Sequence, residues 1–270
     1  MLRRRNHEIE SKITFRNNCV AFSKTISANK ADRKTFFDYI VKTGKLTYAM
    51  DTEIHELNLS EGNAKYISTD ETKFLIWNMT SMFTCPFSTE HCRKKCYAIK
   101  AEVGKSGKMT VLSRTINFLE SLNLNFVQNM IATIENYLRK PSYQKAETII
   151  VRIHESGDFY NQKYANDWLE IINHFKAVKK LHFIAYTKSF RYFDGKTLPK
   201  ALKLMASEWD DTKAEEMEIV KRNGWKIYTA VKSFQELKEG NYLHCRCEDC
   251  ATCGFCIYHK YKKNVACVIH

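Results

Sequence analysis

The sequence is poor in proline and glycine and has no long apolar segment. Its 270 residues include 3 Pro and 9 Gly, which excludes collagen-like and linker-rich architectures. No segment reaches the roughly 18 to 20 uncharged apolar residues that a membrane span requires. The basic start of the chain, residues 1–8, is followed by no apolar stretch, so a secretory signal is not expected. We therefore expect a cytoplasmic protein with no membrane partner.

The composition is that of a folded, basic protein. A hydrophobic fraction of 44% with 13% aromatic residues is enough for a sizeable core. The length suits one domain of roughly 200 residues with an appendage. The formal net charge of +13 suits a polyanionic partner such as DNA or RNA. A basic composition also occurs in proteins that bind no nucleic acid, and nothing in it indicates an oligomeric state.

Apolar runs of strand length alternate with helical patterns along most of the chain. The strand-like segments are 73–79, 148–154, 181–186, 202–206 and 225–231, with helical spacing at 110–140, 164–175 and 213–222. This alternation predicts an α/β fold with parallel βα units, a (β/α) barrel that is either full or partial. We divide the chain into an N-terminal extension (1–70), the barrel core (71–240) and a Cys-rich metal-binding segment (241–270).

The first of two cysteine windows follows the first predicted strand. Cys85, Cys92 and Cys96 have the spacing C-x6-C-x3-C, and tight clusters of thiols in a chain without a secretory signal usually bind metal. Three thiolates leave one position of a metal centre open, as in a catalytic zinc site or a 4Fe–4S cluster. His91 is an alternative fourth ligand, which would close a structural zinc site. In parallel α/β folds, ligands gather at this carboxyl end of the strands.

The second window, near the end of the chain, predicts another metal site. It contains Cys245, Cys247, Cys250, Cys253 and Cys256. From Cys247 onward the spacing is C-x2-C-x2-C-x2-C, which places thiolate pairs in adjacent tight turns. Zinc and a second iron–sulfur cluster both fit. Five cysteines exceed one tetrahedral site, so one is spare or is replaced by His259 or His270.

Four motifs together resemble a phage family. They are Cys85-Pro86 through Cys92, Cys96-Tyr97-Ala98, the segment 152–159 (Arg-Ile-His-Glu-Ser-Gly-Asp-Phe) and the segment 185–189 (Ala-Tyr-Thr-Lys-Ser). This combination, spread over roughly residues 73 to 256, resembles the phage "gene product 88" family. That family is similar to the phage "gene product 37/68" proteins, which also carry a cysteine triplet ending in Cys-Tyr-Ala. A phage-encoded chain would work in the cytoplasm of the host cell.

The same layout is similar to that of the radical S-adenosylmethionine (SAM) enzymes. This resemblance implies that Cys85, Cys92 and Cys96 hold a 4Fe–4S cluster. It also implies that Gly157 and Asp158 occupy the turn that receives the amino group of SAM. Thr187, Lys188 and Ser189 would then lie near the SAM carboxylate. The sequence departs from that superfamily in its cysteine spacing, where C-x3-C-x2-C is usual, and in its Ser-Gly-Asp turn, where Gly-Gly-Glu is usual.

A second resemblance is to the tRNA-guanine transglycosylases and their DNA-modifying phage relatives. Cys245-x-Cys247-x2-Cys250 with a later histidine is similar to their zinc motif, and the segment 155–159 is similar to their Asp-Ser-Gly-Gly-Phe strand. This resemblance implies a (β/α)8 barrel. Asp158 or Glu155 would be the catalytic carboxylate, acting as nucleophile or general base on a nucleoside. The first cysteine triplet has no role in that family.

These observations favour an enzyme. The leading hypothesis is a phage-type, radical-SAM-like iron–sulfur enzyme that acts on a nucleotide or nucleic acid. The alternative is a zinc-containing, DNA-guanine transglycosylase-like enzyme that exchanges a base in DNA. A second alternative is a non-enzymatic, metal-stabilised protein that binds nucleic acid.

Overall fold

A sheet of seven parallel strands forms the centre of the computed structural model, which describes residues 54–103, 107–246, 249–258 and 263–269. The strands are β1 (Thr72–Trp77), β2 (Thr148–Ile153), β3 (Leu181–Thr187), β4 (Leu202–Glu208), β5 (Lys226–Val231), β6 (Leu243–His244) and β7 (Val265–Val268). Their order across the sheet is β1-β2-β3-β4-β5-β7-β6. The sheet curls as a half-barrel. This confirms the α/β class and the partial form of the barrel, whereas the described residues do not form a full one.

Ten helices connect the strands in the described ranges. They are α1 (Glu90–Lys94), α2 (Tyr97–Val103), α3 (Gly107–Glu120), α4 (Phe126–Arg139), α5 (Pro141–Lys145), α6 (Gln162–His174), α7 (Ala214–Arg222), α8 (Phe234–Glu239), α9 (Cys250–Cys253) and α10 (Phe255–Tyr258). The helical pattern over 110–140 thus corresponds to two helices, α3 and α4, separated by a turn. Pro141 lies at the first position of α5, where the missing amide proton costs nothing. Among the described helices, none has the length and apolarity to cross a bilayer.

One face of the sheet, the outer face, packs against α4 and α6. Alternate strand residues such as Leu75, Val151 and Phe183 share a buried core with Met130 of α4 and Trp168 of α6. Each fully buried side chain of this size contributes about 1.5–3 kcal/mol relative to its exposed state. The segment before β1 joins the same core through Leu57 and Leu59, so residues 54–70 of the predicted extension pack on the barrel. Residues 1–53 lie outside the described part of the chain.

The opposite face, the inner face, carries Phe74, Ile76, Ile150 and Ile184. The helices α9 and α10 of the Cys-rich segment pack on it, with Ile257 buried at the contact. Strand order explains this placement. Each step from β1 to β5 moves in one direction across the sheet, but the step from β6 to β7 moves back. Because crossovers between parallel strands are right-handed, a step in the reverse direction places its connection on the other face.

The Cys-rich segment therefore contributes two strands, β6 and β7, to the sheet. β7 pairs with both β5 and β6 in parallel, with Tyr228 opposite Val265 and Leu243 opposite the same residue on the other side. The predicted boundary at residue 240 thus falls between strands of one hydrogen-bonded sheet. The three-part division of the chain remains a prediction.

A glycine turn holds the loop that leads to the first cysteine window against the end of β2. The amide of Met79 donates to the carbonyl of Ser156 at 2.9 Å. Gly157 follows with φ +90°, and a Cβ there would lie 2.6 Å from Oγ1 of Thr84 and 3.0 Å from Cβ of Met79. Glycine is required at this position because both the backbone angle and the close approach exclude a side chain.

Replacing this glycine should cost more stability than replacing a glycine with the same kind of backbone angle in open space. Gly195 has φ +67°, and a Cβ there would meet nothing within 4 Å, so Gly195→Ala should cost only the left-handed strain of about 1–2 kcal/mol. Gly157→Ala adds the two contacts, and we expect a total of about 3 kcal/mol or more. Urea unfolding of both variants measures the difference, and equal losses would contradict the tight packing at Gly157.

Candidate functional site

The carboxylate of Asp158 joins the ends of β2 and β3. Its Oδ1 accepts hydrogen bonds from the Thr187 hydroxyl at 2.6 Å and the Phe159 amide at 2.8 Å. Its Oδ2 accepts from the amide of Lys188 at 2.8 Å. Asp158 is only 6% exposed, and this burial raises its pKa to about 6, although the hydrogen bonds act in the opposite direction. Both carboxylate oxygens thus accept hydrogen bonds from the protein.

Lys188 and Ser189 extend this network to the next strand. The Lys188 ammonium donates to the carbonyl and hydroxyl oxygens of Ser207 on β4, at 2.8 and 3.2 Å. The Ser189 hydroxyl donates to the carbonyl of Phe159 at 2.7 Å. Burial lowers the pKa of Lys188, while the neighbouring Cys92 sulfur acts to raise it. The residues that the sequence assigned to the cofactor come together at this edge of the sheet: Gly157, Asp158, Thr187, Lys188 and Ser189.

Glu155 lies at the same strand end but makes different contacts. Its carboxylate accepts hydrogen bonds from the side-chain amides of Asn63 at 2.8 Å and Asn78 at 3.4 Å. Its backbone carbonyl accepts from the hydroxyl of Tyr97, the residue that follows Cys96. Glu155 therefore links the end of β2 to the loop after β1 and to the start of α2. All of these contacts are hydrogen bonds made at the end of β2.

The first cysteine window forms the loop and short helices between β1 and α3. Cys85 precedes α1, Cys92 lies within it, and Cys96 lies between α1 and α2. Thr89 caps α1 by accepting from the Cys92 amide at 3.3 Å. All three cysteines are partly buried, and burial raises the pKa of the Cys96 thiol. Because it follows β1, the window lies at the edge of the sheet formed by the carboxyl ends of the strands, here called the carboxyl edge. The network around Asp158 and Lys188 lies at the same edge.

A second contact fixes this loop, and the sequence did not indicate it. His91, on α1, is hydrogen-bonded through Nδ1 to Asp210, and its amide donates to Asp211 at 2.8 Å. Lys232 forms an ion pair with Asp210 at 2.9 Å. The hydrogen bonds from His91 and Lys232 lower the pKa of Asp210 to about 2. The adjacent aspartates after β4 were the only signal in the sequence, and their partner is 119 residues away.

His91, Asp210 and Asp211 differ from the cysteines in how close their potential metal-ligand atoms lie to one another. The ligand atoms of His91, Asp210 and Asp211 lie within 4.8 Å of one another, a spacing that no three cysteines reach in the described ranges. A single zinc ion with bonds of about 2.3 Å brings its sulfur ligands within about 4 Å. The cysteine side chains would have to move to close on one ion. A four-iron cluster separates its thiolates further, since each thiolate binds a different iron.

An open cleft of about 410 Å³ lies beside the first cysteine window. Its walls include Phe87 and Arg93 from the window, Lys188 from the end of β3, and Arg191 and Lys213. The guanidinium of Arg191 lies 4.2 Å from the centre of the Phe87 ring. The carboxylates in the wall are those of Glu90, Asp211 and Glu216. The cleft therefore offers several cations and an aromatic face at the edge where the cysteine triplet lies.

The second cysteine window lies on the inner face, away from this cleft. Cys245, Cys250, Cys253 and Cys256 line one small cavity of about 30 Å³, while Cys247, His259 and His270 lie outside the described residues. Asp249 caps α9, accepting from the Ala251 amide at 2.9 Å. Gly254, with φ +61°, turns the chain into α10. Burial raises the pKa of Cys250 and Cys256 to about 11.

Comparison with known proteins identifies relatives among phage proteins. A "Gene 88 protein" of Mycobacterium phage D29 is 30% identical over 106 residues, which are 39% of this chain and 43% of the relative. The "Gene 88 protein" of Mycobacterium phage L5 is 28% identical over 106 residues, with the same two shares. The chain thus spans less than half the length of these curated relatives. No solved structure matches it significantly.

The wider match is to a family profile, described as Gene product 88, which aligns with residues 57–260. This region includes both cysteine windows and the ends of β2 and β3. The match confirms the resemblance of the sequence to the phage gene product 88 family. These matches do not show a relationship to radical SAM enzymes or to transglycosylases. Since the profile covers well over half of the chain, the protein belongs to the Gene product 88 family.

Proposed function

We propose that this protein is an iron–sulfur enzyme of the radical-SAM-like type that acts on a nucleotide or nucleic acid. Cys85, Cys92 and Cys96 are the proposed ligands of a 4Fe–4S cluster. The observation that carries the proposal is the shared location of the cysteine triplet and the 410 Å³ cleft at the carboxyl edge of a parallel half-barrel. This edge is where parallel α/β enzymes bind their ligands.

Contacts across the strand ends support a fixed position for the cysteine loop. Its first part is hydrogen-bonded to the end of β2 through Met79, and His91 anchors its helix to Asp210 after β4. Asp210 is in turn paired with Lys232 after β5. A loop held at several strand ends suits a cofactor site, because the ligands must keep one geometry while substrates enter and leave.

The residues at the carboxyl edge suggest roles for the proposed cluster, for the cations of the cleft and for its aromatic ring. A cluster held by three thiolates has one open iron, which can bind another molecule and pass a single electron. Arg93 and Arg191 would neutralise a carboxylate or phosphate in the cleft, while Lys188 holds the end of β3 to Ser207. A base would stack on the Phe87–Arg191 pair, since the guanidinium already covers one face of the ring. Asp158 would position these groups through β3 and not contact the substrate directly.

The geometry gives less support to base exchange. A nucleophile or general base needs a carboxylate within reach of the substrate. Both oxygens of Asp158 accept hydrogen bonds from the protein, and the group is buried. Both carboxylate oxygens of Glu155 also accept hydrogen bonds from side-chain amides. We therefore keep the transglycosylase-like reaction as an outcome of the first experiment below.

Protein purified and reconstituted without oxygen should be brown and contain iron that depends on the first window. Replacing Cys85, Cys92 and Cys96 together by Ala should remove about four irons per chain. Cys267→Ala, outside both windows, is the control and should keep them. The measurements are iron content and the visible absorption spectrum. A colourless wild type that holds only zinc would overturn the proposal and favour base exchange, which exchange of labelled guanine into DNA would then test.

The reconstituted protein should bind SAM through the cleft. Arg191 and Arg222 are both exposed arginines paired with a carboxylate, Glu216 and Asp194 respectively, but only Arg191 lines the cleft. Arg191→Gln should weaken SAM binding about tenfold, the value of one charge-assisted hydrogen bond, whereas Arg222→Gln should not. Calorimetry measures both. A wild type that binds short DNA but no SAM would support the non-enzymatic alternative.

The stability of the protein should carry the signature of a buried Asp158. Its folded pKa of about 6 exceeds that of an exposed aspartate, about 3.9. The folded state therefore holds the proton more tightly, so the group's contribution is complete below about pH 4 and lost as pH rises through about 6. Relative to Asp158→Asn, the unfolding free energy of the wild type should fall by roughly 2 kcal/mol from pH 4 to pH 7. Parallel pH profiles from urea unfolding would show that Asp158 ionises like an exposed aspartate.

A further inference from the structure

Arg152 is a buried cation without a matching anion. It lies on β2 and faces the inner side of the sheet, with only 5% of its surface exposed. Its Nε and Nη1 have no hydrogen-bond partner, and no ion pair joins it to a carboxylate within the described ranges. A guanidinium stays charged at any pH a protein experiences. A buried charge without compensation costs several kcal/mol, so a partner is to be expected next to Arg152.

The groups around Arg152 are aromatic rings and thiols. Its guanidinium lies 3.9 Å from the centre of the Tyr186 ring and 5.8 Å from that of Tyr66. Tyr186, Cys250 and Cys256 belong to the same cluster that packs on this face. The carboxylate of Glu155 acts on Arg152 electrostatically, but it is already bonded to Asn63 and Asn78.

The thiols around the small cavity come from three consecutive pieces of chain. Cys245 follows β6, Cys250 and Cys253 lie at the two ends of α9, and Cys256 lies in α10. The amide of Cys250 donates to the carbonyl of Lys65 at 3.0 Å, which attaches α9 to the segment before β1. A Cβ at Gly254 would lie 2.6 Å from the Tyr258 ring, so the turn between α9 and α10 is closely packed.

We propose that Cys245, Cys250, Cys253 and Cys256 hold a thiolate-ligated metal centre on the inner face, and that Arg152 is the positioning residue that balances its charge. Four thiolates around a dication carry a net charge of about −2, and a four-thiolate 4Fe–4S cluster is anionic as well. Either centre supplies the anion that Arg152 lacks. Tyr186 connects the two, because its ring stacks on the guanidinium and also lines the cavity of the four cysteines. This site is separate from the cluster proposed at the carboxyl edge.

The experiment uses the full chain with Cys85, Cys92 and Cys96 replaced by Ala, so that its result does not depend on the first window. Zinc and iron are measured in this protein after anaerobic purification, and Co²⁺ serves as the spectroscopic probe of thiolate ligation. We expect one cluster per chain, or one zinc ion on which the cysteine side chains have closed, and the metal analysis distinguishes the two. Cys250→Ser and Cys256→Ser should each abolish the thiolate-to-cobalt absorption. Absence of both metals and of the cobalt band would overturn the proposal.

The role of Arg152 is tested in the same background. Arg152→Gln should weaken cobalt binding by about 10- to 100-fold, as changes beside a metal site commonly do. Arg152→Lys keeps the charge and should restore most of the affinity. The control is Arg114→Gln, since Arg114 is also buried but is paired with Glu102 at 2.7 Å. Equal cobalt affinity in the Arg152→Gln and control proteins would show that Arg152 does not serve the metal.

A second measurement keeps the proposal testable if Arg152→Gln does not fold. Arg152→Met replaces the cation with an apolar chain of similar length, a change that buried ion sites often tolerate. If the metal centre compensates Arg152, removal of metal by a chelator should lower the melting temperature more in the Arg152 protein than in Arg152→Met. An equal or smaller decrease in the Arg152 protein would contradict the charge balance.

Discussion

The buried carboxylate of Asp158 fixes the carboxyl edge of the sheet, on which both cysteine loop and cleft depend. It holds a hydroxyl and two amides from the ends of β2 and β3, and a buried donor left without its acceptor costs about 1–3 kcal/mol. The residue before it, Gly157, lets Met79 and Thr84 approach the turn. Two adjacent residues therefore position the end of β3 on one side and the loop after β1 on the other.

The two faces of the sheet are covered in different ways because the strand order reverses once. From β1 to β5 the right-handed connections lie on the outer face, where α4 and α6 bury Leu75, Val151 and Phe183. The last step runs back from β6 to β7, so its connection crosses the inner face. That connection is the Cys-rich segment. The same geometric rule therefore accounts for the helices outside the sheet and for the cysteines inside it.

This reversal also marks the limit of what the sequence predicts. The strands β1 to β5 were predictable because each has a local run of apolar and β-branched residues. β6 has two residues and β7 four, too few for a periodic signal. Without them the strand order, and hence the inner location of α9 and α10, could not be predicted. For the same reason Arg152 appeared in a motif without a role. The His91–Asp210 contact joins distant parts of the chain, and the adjacent aspartates alone do not identify their partner.

The surroundings of the two cysteine windows suit different tasks. The first lies at an edge with an open cleft, where a bound molecule could reach the proposed cluster. The second packs against Ile150, Ile184 and Ile257, where no substrate has room. The helices α9 and α10 have four residues each, far too short to be stable alone. A metal that joins their thiols would add its binding free energy directly to folding. Metal coordination would then hold α9 and α10 against the inner face of the sheet. In other proteins a longer helix with a larger apolar surface has this role.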